Sequence, residues 1–415
     1  MVDTTYGPLQ GVKVLELGSS VAGPFCGRLL ADFGAEVIKV EIETGDPVRS
    51  MSKRVEGRSL YAASIFRNKQ LVSINLRSEA GRDVIRQLAD KCDIVVENFR
   101  PGTLEKWGLG YADLSARNPG LIMVHISGFG QSGPYRERAG YGAIGDAVSG
   151  LRHLTGDPDR PPARIAASVV DEVTGMYGAF GALMAMRVRD QTGKGQEVDS
   201  ALYESAFSLI EPHVPAYGKL GIIPSRVGSR LPDSAPNNLY VAQDGRYVHI
   251  TAMGDSVFAR LAKAMNRPEL ADDPRYRTMQ ARSSNEEELD QIIGGWAQGF
   301  AAADLERTLE EQGVPAARIY DMEDVFNDVH FHEREMLVKV QDPVLGELTL
   351  PGIVPKLSAT PGRIVHAGHD VGQDTRSVLE RVLGLDADAI DNLAAQKAIF
   401  CGNATEGEVR MEAQA

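Results

Sequence analysis

Cysteine is scarce in this chain: its 415 residues include three, Cys26, Cys92 and Cys401. They are far apart and odd in number, so a disulfide framework and a cysteine-based zinc site are both excluded as organising features. Their scarcity fits a reducing cytoplasm, and Cys26 and Cys92 read as buried apolar thiols. Positive charge is also in deficit. Lys and Arg number 44 against 57 Asp and Glu, a net charge of −13, so nucleic acid and anionic membrane are poor bulk partners. No apolar run approaches the roughly 18 residues of a membrane helix. Met1 to Leu9 lacks a basic stretch followed by an apolar one, so the expectation is a soluble, cytoplasmic protein without a secretory leader. No Gly-x-Ser-x-Gly elbow, phosphate loop or cysteine–histidine dyad context is present, which removes the usual signatures of hydrolases and kinases. Histidine pairs occur at His330/His332 and His366/His369 without a Cys or Glu cluster, and no metal is expected. His330 and His332 are read as isolated surface histidines of a strand.

What is present is alternation of strand and helix. Val12 to Leu17, Glu36 to Glu41, Leu71 to Leu76, Asp93 to Phe99 and Leu121 to Ser127 read as strands. Pro24 can open a helix that Gly34 closes, and Ser78 to Asp90 has helical spacing through Val84, Ile85 and Leu88. This order predicts an α/β fold with a parallel sheet covered on both faces. A Gly/Pro-rich stretch near Gly218 to Asn238 separates a second unit. There, Asn238 to Gln243 and Arg246 to Met253 form a hairpin about Asp244-Gly245. Helices follow at Asp255 to Met265, Asn285 to Phe300 and Ala302 to Glu311, then a hairpin of Leu337 to Gln341 with Glu347 to Leu350.

Small-residue turns close the apparent parallel strands: Gly18 to Pro24, Asn98 to Gly102 and Gly128 to Pro134. Such turns are where ligands bind in parallel sheets, and their backbone amides suit phosphates and developing oxyanions. Arg77, Arg100 and Lys106 lie near them and can meet phosphate, although each alone reads as a solvated surface charge. Gly18, Gly23 and Glu41 approximate a dinucleotide fingerprint, but Ser20 stands where the second glycine belongs.

Asp171 heads a helix with glycine at Gly175, Gly178 and Gly181. Interior helical glycines cost about 0.5–1 kcal/mol each, so the stripe implies close approach of a backbone or a ligand. Asp171 stands where an N-cap belongs, and a carboxylate so placed suits a cap or a nucleophile alike.

These segments resemble the class III CoA-transferase family, which includes formyl-CoA:oxalate and carnitine CoA-transferases. The carriers are Leu15-Glu16-Leu17 through Ala22-Gly23-Pro24, Gly34 through Glu41, Asn68-Lys69, Val96 through Gly102, Gly128 through Pro134, Asp171 through Gly175, and Thr192 through Gln196. The resemblance runs from about Leu9 to about Leu383. It implies a CoA-binding, Rossmann-like large domain over residues 1–215 and 340–401, a small α+β domain over 225–330 and a flexible tail over 402–415. Two such chains would form an interlocked-ring homodimer.

The resemblance makes Asp171 the nucleophile. It implies CoA contacts at Val21, Ala22, Ile74, Asn75, Arg77, Asn98, Phe99, Arg100, Lys106 and Tyr141. Met51, Tyr61 and Gln131 would line the acyl pocket. Coenzyme A would be a cosubstrate, with no tightly bound cofactor. Val21 and Ala143 stand where oxalate-specific members carry glutamine and glutamate, Ile42 stands where they carry arginine, and their run of four glycines is absent. These departures point to dicarboxylate exchange with succinyl-CoA as donor. A racemase branch uses a histidine–aspartate pair, but its histidine position falls in Gly140-Tyr141-Gly142. A non-catalytic CoA-binding subunit of a heteromer is the remaining alternative.

Overall fold

A computed structural model describes residues 6–402. The expected flexible tail lies outside the described residues from position 403 onward. The chain divides into two compact units. Among the described residues, one holds 6–151, 165–215 and 332–402; the other holds 152–164 and 216–331.

The first unit is built on a seven-stranded sheet ordered Ile399–Phe400, Lys69–Ile74, Glu36–Glu41, Lys13–Glu16, Ile94–Glu97, Ile122–Ser127, Glu197–Ala201. Every neighbouring pair is parallel except Ile399–Phe400, which runs antiparallel to Lys69–Ile74 at the edge. The order therefore reverses direction between Lys13–Glu16 and Ile94–Glu97. Crossovers from one strand diverge to opposite sides there, leaving a crevice at the carboxyl ends.

Apolar residues alternate faces as the pleat requires. Leu15, Ile38, Val95 and Met123 are buried on one side with Ile85 and Leu88 of helix Glu79–Ala89. Val14, Val37, Val96 and Val124 are buried on the other with Cys26 and Leu30 of helix Ala22–Asp32 and with Ala182 of helix Val169–Thr192. The two thiols read as buried are buried: Cys26 and Cys92.

The glycine stripe is explained by packing. A Cβ on Gly175 would lie 2.5 Å from the Ala22 carbonyl oxygen, and one on Gly181 would lie 2.5 Å from Val198 Cγ1. All three glycines of the stripe are buried against helix Ala22–Asp32 and the sheet. They let the long helix settle onto its neighbours and form no open cradle.

In the second unit, Asn237–Val241, Tyr247–Thr251 and Ala316–Arg318 make a three-stranded antiparallel sheet. Phe258, Leu289, Ile293, Leu305 and Leu309 cover it. Back in the first unit, the hairpin Leu337–Asp342 with Gly346–Pro351 forms as expected. His330 and His332 lie in the short helix Val329–Glu333, not in a strand; Asp328 starts that turn by accepting the His330 and Phe331 amides. No helix among the described residues is long and apolar enough to cross a membrane.

Candidate functional site

The crevice at the strand reversal holds a cleft of about 220 Å³. Its floor and walls come from the turns after three strands: Ser19 to Ala22, Asn98 to Pro101, and Ser127-Gly128 with Arg138 to Tyr141. Asp171 is in its wall. The turns approach so closely that side chains are excluded between them. A Cβ on Gly18 would sit 3.0 Å from Gly23 Cα, and one on Gly140 would sit 2.5 Å from Gly128 Cα.

Asp171 is not the N-cap of its helix. Ser168 occupies that place without a side-chain capping bond, and the helix begins at Val169. Asp171 is thus in the first helical turn, where the aligned peptide dipoles still favour an anion. Its carboxylate also lies against a second helix N-terminus. A Cβ on Gly142, the first residue of helix Gly142–Ser149, would be 2.1 Å from Asp171 Oδ2. A third helix, Ala22–Asp32, opens on the same cleft with no side-chain cap at Val21. First-turn amides lack partners within their own helix. The carboxylate thus stands in the first turn of its own helix and against the start of a second, and a third helix opens on the same cleft.

Tyr61 flanks this carboxylate. Its hydroxyl meets that of Ser168, and burial, reinforced by the charges of Glu172 and Asp171, pushes its pKa up to about 12. Glu172 is half-buried, and burial raises its carboxyl above the usual range despite Arg28 nearby. The sequence singled out neither Glu172 nor Arg138, which also lines the cleft; charged residues beside an apolar or glycine-rich segment look like ordinary surface.

The structure sorts the expected CoA contacts into groups. Val21, Ala22, Asn98, Phe99, Arg100 and Tyr141 line the cleft with Asp171. Ile74 is instead fully buried in the core. Asn75 bonds the Lys397 carbonyl and the Arg77 amide. Arg77 and Lys106 are exposed at the same carboxyl edge of the sheet, outside the cleft lining. Of the expected acyl-pocket residues, none of Met51, Tyr61 and Gln131 is in the cleft lining, and the exposed Met51 accepts the Ser59 hydroxyl at its carbonyl. In the Gly130 to Gly133 turn two amides are already taken: Ser127 accepts that of Gly130 and Asp199 that of Gln131.

Behind the cleft lies a layer of buried charge that pattern reading missed. Lys69 donates to Glu16 at 2.7 Å and to the Pro24 carbonyl. Lys39 donates to Asp46 at 2.9 Å and to the Gly18 carbonyl. Burial lowers the Lys69 ammonium and raises the Glu16 carboxyl. Burial works against Lys39 too, but the carboxylates of Asp46, Glu16 and Glu41 outweigh it and raise its pKa. Glu41, the acid that a dinucleotide site would need for a ribose, is held by Arg49 and by the Asp46 amide.

The sequence profile of CoA-transferase family III spans residues 9–375. A succinyl-CoA–D-citramalate CoA-transferase of Chloroflexus aurantiacus is 48% identical over 94% of this chain and 98% of its own. The chain belongs to CoA-transferase family III. A succinyl-CoA–L-malate CoA-transferase beta subunit of the same organism is 41% identical over 95% of this chain and 99% of that relative. The crystal structure of a CAIB/BAIF family protein from Brucella suis superimposes with a TM-score of 0.81 at 34% identity. It covers 91% of this chain and 100% of its own. The α/β fold with its large mixed sheet is thus the fold of family III, and this member is a CoA-transferase.

Proposed function

We propose that this enzyme moves CoA from succinyl-CoA to a dicarboxylic acid through a covalent intermediate on Asp171. The observation that carries the reading is the Asp171 carboxylate in the cleft wall, in the first turn of its own helix and against the start of helix Gly142–Ser149, with helix Ala22–Asp32 opening on the same cleft. The names of the two Chloroflexus relatives support the donor and the acceptor class.

In this reading Asp171 attacks the thioester carbonyl of the donor. The C–S bond breaks, giving a mixed anhydride and CoA thiolate. The thiolate then attacks the Asp171 γ-carbonyl, breaking the anhydride C–O bond; succinate leaves and an aspartyl–CoA thioester remains. The acceptor carboxylate attacks that carbonyl, thiolate departs, and its attack on the acceptor acyl carbon releases the new acyl-CoA and regenerates Asp171. Two carboxylates and two thioesters balance, so no external energy source enters. Each tetrahedral oxyanion would be met by amides at the starts of helices Ala22–Asp32 and Gly142–Ser149, in place of the Gly130 to Gly133 turn. Val21, Ala22, Asn98, Phe99, Arg100 and Tyr141 would contact CoA within the cleft, with Arg77 and Lys106 further along the same sheet edge. Tyr61 would cover the acyl group. The residues described as lining the cleft include no histidine, so the acid–base isomerase reading lacks its second group.

Helix Val169–Thr192 turns Met176, Phe180, Leu183, Met184 and Val188 outward, each at least 43% exposed. An apolar face of this extent marks a protein partner, and a second copy in the interlocked arrangement is the partner proposed. The buried free thiols Cys26 and Cys92 support a reducing, cytoplasmic setting.

The test is Asp171→Asn. CoA exchange between succinyl-CoA and malate or citramalate should vanish while calorimetric CoA affinity stays within threefold. Retained exchange in that variant would overturn the reading.

A further inference from the structure

Ser20 has φ of +64°, in the left-handed region that an L-residue with a side chain rarely enters. It lines the cleft immediately before Val21 and the uncapped helix start at Ala22. Something must hold it there, and the buried charge behind the turn does so. The Ser20 amide donates to both oxygens of Asp46, at 3.0 and 3.2 Å. Asp46 Oδ1 also takes the Val48 amide, and Oδ2 takes the Lys39 ammonium at 2.9 Å. Lys39 in turn holds the Gly18 carbonyl and lies 3.7 Å from Glu16. The Lys39 and Asp46 side chains are each 1% exposed.

Ser19, between the two anchored residues, is gripped from the opposite wall. Asn98 accepts its amide and donates to its carbonyl, each at 2.8 Å. Thus the Gly18 carbonyl, both backbone groups of Ser19 and the Ser20 amide are all bound to side chains. With these four groups fixed, the chain direction at Val21 and Ala22 is fixed too, and with it the aim of the helix amides.

We propose that Asp46, backed by Lys39, is a positioning residue for the transfer reaction: it locks Ser20 left-handed so that the start of helix Ala22–Asp32 faces the reacting carbonyl. Asp46 touches no substrate in this account. It acts through the Ser20 backbone. The assignment rests on the reading of Asp171 as nucleophile for its kinetic consequence, but not for its structural one.

A misplacement of about 1 Å can cost on the order of 10²-fold in rate. Asp46→Asn preserves shape and removes the charge that pairs with Lys39. It should lower kcat by about 10- to 100-fold with less than threefold change in KM for succinyl-CoA. Glycine enters the left-handed region freely, so adding Ser20→Gly to Asp46→Asn should recover most of the lost kcat. A general loss of core stability would not be repaired that way. Should Asp46→Asn fail to fold, Ser20→Val with Asp46 intact reports on the same lock. A β-branched side chain opposes positive φ, and its kcat should fall likewise.

Amide hydrogen exchange separates this proposal from the functional one. The Ser20 amide should be protected in the unaltered enzyme and lose at least tenfold protection in Asp46→Asn or Ser20→Val, whatever the activity. If the unaltered enzyme exchanges no CoA, the transferase reading fails and the hydrogen-exchange result still decides the lock. Unchanged Ser20 protection in Asp46→Asn, unchanged kcat in Ser20→Val, or a kcat loss that Ser20→Gly leaves unrepaired would overturn the lock.

Discussion

Gly142 lets the start of its helix approach the Asp171 carboxylate. A methyl group there would lie 2.1 Å from Oδ2, well inside contact, so Gly142→Ala must move the carboxylate or its helix. Exchange should fall on the order of 10²-fold, while thermal stability changes by a few degrees at most; steady-state kinetics beside a melting curve checks both. A second residue-scale prediction concerns pH. Burial, with His369 stacked 4.2 Å away, holds the His366 imidazole down to about 4 from 6.5. Between those values the unfolded chain takes up a proton that the folded chain refuses. The stability is therefore present in full above pH 6.5 and lost as pH falls towards 4, with a slope of about 1.4 kcal/mol per pH unit. Denaturant titrations across that range should show the slope, and His366→Gln should flatten it.

At this scale the sequence showed less than at any other. Asp171 stood out by its place before a glycine stripe, and Val21, Asn98 and Arg100 by their turns. Asp46, Lys39 and Glu172 did not, because a charged residue in a strand or helix start carries no mark of being buried. Their meaning depends on partners brought from other strands. The Gly130 and Gln131 amides looked available because nothing in the local sequence announces that Ser127 and Asp199 claim them.

Elements were more legible. Glu36–Glu41 and Ala302–Glu311 have the bounds the pattern suggested, since short apolar or periodic runs between turn residues define them alone. Glu197–Ala201 was missed because its sequence, EVDSA, has two acids and sits at the sheet edge. Ile399–Phe400 was missed because two residues carry no period. The stripe on helix Val169–Thr192 was visible and read as close approach of a backbone or a ligand; at Gly175 it is a neighbouring backbone. Gly175→Ala, with its methyl 2.5 Å from the Ala22 carbonyl, should destabilise by about 1–3 kcal/mol in chemical denaturation. The buried layer beneath helix Ala22–Asp32 has a larger stake. Lys69→Met leaves Glu16, 0% exposed, without its 2.7 Å partner and should cost about 3–5 kcal/mol. Restoring neutrality with Glu16→Gln in the same chain should recover part of it.

For the whole molecule, the strand reversal ties fold to chemistry. Parallel strands ordered outward from Lys13–Glu16 bring their closing turns to one edge, and helices that begin there direct amides into the gap between them. The outward apolar face of helix Val169–Thr192 leads to the remaining molecular prediction. Sedimentation should give twice the chain mass, and Phe180→Lys with Leu183→Lys should shift the enzyme towards smaller, less soluble species. A molecule that runs as a monomer at micromolar concentration would count against the dimer.

The central claim is covalent chemistry at one carboxylate. Incubation with succinyl-CoA followed by borohydride should convert an aspartyl thioester at Asp171 to homoserine, read by mass spectrometry of the peptide that contains it. The account predicts homoserine at position 171 only when a CoA thioester is supplied. An unmodified Asp171 in enzyme that is actively exchanging CoA would contradict it.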